Sequence, residues 1–331
     1  MAPAPAGRDR GGAPRAQDRG GRAARSGRTE LIALTVSVFT HPDCLRHDPG
    51  TGHPESPLRL STLLKRLETL PAAAITAVPS GTIDPLERVH PRAYLVGLAA
   101  ASAAGGGRVE ADTVLNAASW DAVLGAAGAV LAAVDHALAG RGHAFAAIRP
   151  PGHHALREQP MGFCLVGNAV VAAEEARARG TERVLIVDWD VHHGNGTQAL
   201  VEQQPAIRYV SLHQWPWYPG TGAAEERGCG NIFNVPREPG LAPMRYVDDL
   251  WDAVRTATHE WTPDLVIISA GFDAMAGDPL GGFTLEPEHF ALLTTRLREH
   301  LPRAPIISLL EGGYDPVRLA EGVAAHLTAL A

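Results

Sequence analysis

The sequence predicts an α/β protein, a single domain around a parallel sheet, and three patterns in its 331 residues carry that expectation. Short Val- and Ile-rich runs alternate with longer amphipathic stretches. Most of those runs stop at Gly, Pro, Asp or His, and no internal repeat or Pro/Ser-rich linker follows residue 30. In chain order, strands are expected at 35–40, 144–148, 183–188, 207–212, 232–235, 264–270 and 306–310. Their runs are apolar on both faces, which suits strands covered above and below by helices. Helical spacing of apolar residues marks 58–70 (behind Pro57), 117–139, 168–179, 244–261, 287–300 and 316–330.

Composition narrows the class. Hydrophobic residues make up 45%, charged residues 20% and aromatic residues 5%, with 35 Gly and 26 Pro, and the formal charge is −7. The longest apolar run without a charge, 122–134, is shorter than the roughly 20 residues that cross a bilayer. Cys44, Cys164 and Cys229 are odd in number and widely spaced, so neither a disulfide framework nor a CxxC zinc site is expected. A reducing cytoplasm is the compartment that such cysteine usage suits.

Charge is uneven along the chain. Residues 1–28 hold seven of the 29 basic residues and only Asp9 and Asp18 of the 36 acidic ones, which leaves a net −12 over 29–331. The segment has no apolar residue larger than Ala except Met1, so residues 1–30 are expected to be a disordered tail. The folded domain is expected over 31–331. Weak contact of the tail with nucleic acid is the alternative to an inert extension. An acidic body otherwise disfavours nucleic acid and suits cationic peptides.

Open α/β sheets place ligands beyond the carboxyl ends of their strands, so the residues following each strand are the informative ones. After 183–188 comes Asp188-Trp189-Asp190-Val191-His192-His193-Gly194-Asn195-Gly196. In extended chain, Asp188, Asp190 and His192 share one face, and a carboxylate with an imidazole suits zinc. Asp273 follows 264–270 in Gly271-Phe272-Asp273 and could complete an Asp, His, Asp set. Read alone, it fits a helix N-cap equally well. His153 and His154 project from the rigid turn Arg149-Pro150-Pro151-Gly152, where adjacent imidazoles can serve as general base and acid. Tyr314 follows Glu311-Gly312-Gly313 and offers a phenol donor opposite a metal, although structural tyrosines occur in such places too.

Taken together, Pro-Pro-Gly-His-His-Ala (150–155), Met-Gly-Phe-Cys (161–164), residues 187–198, Ser-Leu-His (211–213), Ala-Gly-Phe-Asp (270–273) and Glu-Gly-Gly-Tyr (311–314) resemble the zinc-dependent histone deacetylase family. The match runs in order from about His41 to the C-terminus. It is closest to the class II-like branch, with bacterial histone deacetylase-like amidohydrolases and acetylpolyamine amidohydrolases. The resemblance implies the arginase/deacetylase fold, a mostly parallel sheet of about eight strands with helices on both faces. It implies a zinc-dependent amidohydrolase acting on linear amides, which releases acetate and free amine from N-acetyl-lysine or a related acylated amine. Asp190, His192 and Asp273 would hold one catalytic Zn²⁺. His153 and His154 would form the catalytic pair, with Asp188 and Asn195 as their respective partners, and Tyr314 the oxyanion donor.

Phe163 and Tyr218 would wall a narrow substrate channel, with Gly162 and Gly312 also touching substrate. A structural K⁺ would sit at Asp188, Asp190, His192, Ser211 and Leu212. His53-Pro54-Glu55-Ser56-Pro57-Leu58-Arg59-Leu60 resembles the family segment bordering the active-site rim. The substrate is then an acetylated lysine peptide or protein or an acylated small amine, with no membrane partner; a homo-oligomer is compatible with the sequence.

Three departures qualify this. Asn195 stands where class I members carry aspartate, and Gly167-Asn168 replaces the usual Asn-Asn. Leu280 stands where polyamine-selective members carry a glutamate, which argues for acetyl-lysine-type or neutral-tailed substrates over acetylspermidine. Competing readings are an acetylpolyamine amidohydrolase, a binuclear arginase-like enzyme needing further Asp and His ligands, and an acetyl-lysine-binding scaffold without activity. No zinc ligand and no Tyr314 is missing, which speaks against the scaffold.

Overall fold

A computed structural model describes residues 35–331, together with Met1. The Arg-rich stretch expected to be a disordered tail lies, Met1 apart, outside the described residues.

The strands are β1 (Val36–Thr40), β2 (Ala73–Ala77), β3 (Gly106–Arg108), β4 (Val114–Asn116), β5 (Ala144–Ala146), β6 (Val184–Asp188), β7 (Ile207–Gln214), β8 (Ile232–Arg237), β9 (Leu265–Ala270) and β10 (Ile306–Leu310). Eight of these, among the described residues, form one sheet in the order β2-β1-β5-β10-β9-β6-β7-β8. Every neighbouring pair in it runs parallel. β3 and β4 form a separate antiparallel hairpin. All seven expected strands are present, with ends shifted by at most two residues.

The helices are α1 (Pro57–Leu67), α2 (Ile83–Glu87), α3 (Arg92–Ala103), α4 (Ser119–Leu138), α5 (Asn168–Ala178), α6 (Asn195–Val201), α7 (Pro243–Thr258), α8 (Pro287–His300) and α9 (Pro316–Leu330). α7, α8, α9 and α1 pack in succession as one layer, and α3, α4, α5 and α6 as another. The central strands β5, β6, β9 and β10 are buried at every position, as their uninterrupted apolar runs require. Burying each large aliphatic side chain contributes about 1.5–3 kcal/mol.

Two expectations are corrected here. α4 is 20 residues long and, among the described helices, is the one long and apolar enough to span a bilayer by length and composition. The uncharged run 122–134 is shorter than the helix because Asp121 and Asp135 lie inside it. It is mostly buried, packed against β1, β5 and α5, so its apolarity belongs to the core. The segment 53–60 is also not all rim. Glu55 and Arg59 are fully buried, and Arg59 donates to the carbonyls of Glu311 and Gly313.

Sheet order explains the site. The chain leaves β5, crosses to β6, builds outward to β8, then returns to lay β9 and β10 in the gap. β5, β10, β9 and β6 are therefore contiguous, and they are the four strands whose carboxyl ends carry His153, Tyr314, Asp273 and Asp190.

Candidate active site

Past the end of β6 the chain folds on its own side chains. Asp188 Oδ1 accepts from the Asp190 N–H at 3.1 Å and Asp190 Oδ1 from the His192 N–H at 2.9 Å. These bonds fix the spacing that turns Asp190 and His192 to one point. From β9, Asp273 Oδ1 accepts the Val191 N–H at 2.8 Å, which leaves Oδ2 facing His192 Nδ1 at 3.2 Å. His192 Nδ1 also lies 3.1 Å from Asp190 Oδ1. The donor atoms of Asp190, His192 and Asp273 all fall within 4.8 Å of one another, and all three residues are buried.

Without a cation this knot is electrostatically poor. Burial and the neighbouring Asp190 charge push the Asp273 carboxyl up to about 7. Burial pulls the His192 imidazole down, but its bonds to Asp190 and Asp273 overcome this and hold it at about 10. A proton on His192 thus takes the place that a divalent ion would fill. Two carboxylates and one imidazole with room for further ligands is the donor chemistry of a catalytic zinc site.

Gly312 belongs behind this knot. Its N–H donates to Asp190 Oδ2 at 2.8 Å, and a Cβ there would run into the carboxylates of Asp273 and Asp190. Expected at the substrate, it lies against the Asp190 and Asp273 carboxylates and outside the cavity lining.

The His153–His154 pair lies beside the knot, its rings 4.0 Å apart. His153 Nδ1 is 3.1 Å from Asp188 Oδ2, and His154 Nδ1 is 2.8 Å from Asn195 Oδ1. Burial lowers His153, yet the carboxylates of Asp190 and Asp188 overcome that and raise it to about 10. Burial and the positive neighbours His153 and His192 push His154 well below the usual imidazole value. One ring is held charged and its neighbour neutral.

Glu311 anchors this loop from below. Its Oε2 accepts from the N–H groups of Gly152 (2.6 Å) and His153 (3.1 Å). His153, Cys164 and Glu311 form a second cluster with metal-ligand spacing, but Glu311 is engaged by those backbone donors. Deeper still, Glu55 accepts from Arg149 and Arg59, whose charges outweigh burial and keep its carboxyl at about 2. The Arg59 guanidinium also lies 4.9 Å from the Tyr314 ring centre. Tyr314 is fixed through its N–H, which donates to Asp278 Oδ2 at 2.7 Å.

Above these groups opens a cavity of about 220 Å³ lined by His154, His192, Tyr314, Gly162, Phe163 and Tyr218, with Asp112, Trp217 and Leu280 at its mouth. The Tyr218 ring stands edge-on to His154 at 5.1 Å, and Phe163 stands edge-on to Tyr314 at 5.8 Å. Phe163 has φ 67°, unusual for an aromatic residue. Two bonds hold it there: Gly162 N–H to Asp112 Oδ1 (3.0 Å) and Phe163 N–H to Thr113 Oγ (3.1 Å). A Cβ on Gly162 would collide with the His154 ring, so glycine at that position lets the channel floor close on the histidine.

Asp112, Thr113 and Trp217 were not singled out by the sequence. They sit in loops without a motif, and only the fold brings them to the channel. Ser211 and Leu212 are buried on β7, with Ser211 opposite Asp188 in the β6–β7 register.

Comparison with known proteins agrees with this architecture. A model of the histone deacetylase domain matches residues 53–330. The chain is 42% identical to an uncharacterized protein of Synechocystis over 89% of its own length and 99% of that protein's. It is 39% identical to a histone deacetylase-like amidohydrolase of Pseudomonas aeruginosa, covering 86% of this chain and 77% of the other. Among solved structures, the HD domain of HDA15 superposes with a TM-score of 0.85 at 36% identity, over 89% of this chain and 90% of that one.

Proposed function

This chain belongs to the histone deacetylase family, and we propose that it is a zinc-dependent deacetylase that hydrolyses the amide of N-acetyl-lysine. The observation that carries the reading is the cavity itself. An aromatic-walled cavity of about 220 Å³ brings Tyr314, His154 and His192 together with Phe163 and Tyr218.

Zn²⁺ held by Asp190, His192 and Asp273 would supply Lewis-acid polarisation of the carbonyl and acidify water at the site. The remaining steps fall to the side chains. Phe163 and Tyr218 grip the alkyl stem and exclude water. His154, neutral, takes the proton of the attacking water through its free Nε2. His153, held charged by Asp190 and Asp188, protonates the leaving amine. Tyr314 donates its hydroxyl to the oxyanion. K⁺ at Asp188, Asp190, His192, Ser211 and Leu212 is part of the proposal on family resemblance, as is a cytoplasmic location on cysteine usage.

If His154 is the base, its partner tunes the reaction. Asn195→Asp adds a negative charge 2.8 Å from Nδ1 and raises the pKa of His154. The acid limb of the pH profile of kcat/KM then moves to higher pH, because a base with a higher pKa is protonated earlier as pH falls. An unmoved limb, read by initial rates between pH 5 and 9, removes His154 from the base role.

Substrate class is tested by comparing an acetyl-lysine peptide, acetylspermidine and a longer acyl-lysine on zinc-loaded protein. Leu280 lines the mouth with no charge to read a second cation. The acetyl-lysine peptide is expected to turn over fastest, and Leu280→Glu is expected to improve acetylspermidine relative to it by about tenfold, near the worth of one ion pair in a partly screened site. A wild-type preference for acetylspermidine overturns the acetyl-lysine assignment.

A further inference from the structure

Trp217 lies in the loop between β7 and β8, and its indole N–H donates to the Leu280 carbonyl at 2.9 Å. The receiving loop is itself pinned on both sides. Asp278 Oδ1 accepts the Leu280 N–H at 2.9 Å, and Gln214 Oε1 accepts the Gly282 N–H at 2.7 Å. Trp217 is thus tied down although 45% of it is exposed. With the indole donor and the Leu280 carbonyl engaged by each other, the two residues offer surrounding molecules mainly carbon.

Both residues line the cavity that ends on His154, His192 and Tyr314. A substrate whose acyl amide lies at that end must leave past them, so the occupant of this surface is whatever flanks the acylated lysine. The mouth is not uniform, because Asp112 also lines it, its Oδ1 accepting the Gly162 N–H beside Phe163. A basic flanking residue is drawn toward that carboxylate, which leaves the Trp217 side for an apolar one.

We propose that Trp217 and Leu280 form a preorganised apolar shelf that selects peptides with a bulky apolar side chain beside the acetyl-lysine. The inference rests on the deacetylase reading above and deepens it. A shelf already held in place loses little side-chain freedom on binding, so the buried apolar area goes largely into affinity and into kcat/KM.

The test uses zinc-loaded full-length protein and acetyl-lysine peptides carrying Leu, Gly or Arg on either side of the modified residue. Each kcat/KM is read relative to that of unflanked N-acetyl-lysine amide. On one side, Leu is expected to exceed Gly by about tenfold. The ratio falls to about one in Trp217→Ala, and Trp217→Phe, which keeps a ring but loses the indole donor, retains an intermediate value. Equal rates for Leu and Gly in the wild type, or a preference that survives Trp217→Ala, overturn the shelf. So does an Arg preference that disappears with Trp217, which would make the indole a cation–π platform. Failure of the wild type on every acetyl-lysine compound overturns the deacetylase reading instead.

Discussion

Tyr314→Phe is expected to fold and keep its metal while turnover falls by about 2–4 kcal/mol of transition-state stabilisation, roughly 30- to 1000-fold in kcat. The substitution removes one oxygen and little else. The Tyr314 backbone bond to Asp278 does not involve the side chain, and the Arg59 guanidinium can lie over a phenylalanine ring as it does over the tyrosine. What is lost is a donor that stays protonated across the working pH range, since burial and the neighbouring Asp273 charge raise the phenol well above its usual value. The loss should fall on kcat with KM nearly unchanged, because the hydroxyl meets its strongest acceptor only when the carbonyl oxygen carries charge. Metal content of the variant, measured by atomic emission, separates a lost donor from a damaged site. Deacetylation near the wild-type rate overturns the role of Tyr314 as oxyanion donor.

Much of this site could be read without coordinates, for a physical reason. In a parallel sheet, functional groups collect where strands end, and short stretches of sequence then hold several of them at once. Asp188, Asp190 and His192 are spaced by two, and their mutual backbone bonds are local, so the stretch carries its own geometry. His153 and Tyr314 could likewise be named from the turns that precede them. The hidden residues depend on long-range closure. Asp112 and Thr113 position Phe163 from 50 residues away, and Trp217 reaches Leu280 across 63.

Glu311 stood in view in its motif, but its part as an anchor for the His153 loop needs β10 laid beside β5. Similar reasoning covers the fold. β2, Ala73–Ala77, is an edge strand of mostly small residues with three exposed positions, so pairing with β1 rather than composition makes it a strand. α6 begins at Asn195 inside a Gly-Asn-Gly that reads as a loop.

Stripping the metal should abolish turnover and also reverse the usual dependence of stability on pH. In the metal-free protein Asp273 and Glu311 are held at about 7, and His153 and His192 at about 10, all above their unfolded values. Each group therefore contributes stability that is fully present below its unfolded pKa. For the two carboxyls that contribution fades as pH passes 7, and for the two imidazoles as pH passes 10. Asp190 is shifted the other way, so its contribution is lost only in strong acid and stays constant through neutrality.

The stripped protein should accordingly be less stable at pH 9 than at pH 5.5, by several kcal/mol. Zn²⁺ should raise the melting temperature more at the alkaline end, where protons compete least for the ligands. Differential scanning calorimetry across that range is the measurement, with rates recorded before and after reloading. Asp273→Asn sharpens the argument, because it removes one excess buried charge and one ligand together. It should hold less than one ion per chain and lose at least about a thousandfold in kcat, yet melt above the stripped wild type at pH 8. Turnover by the stripped enzyme, or a melting temperature of the stripped protein that does not fall with pH, would show that Asp190, His192 and Asp273 were not assembled to hold a cation.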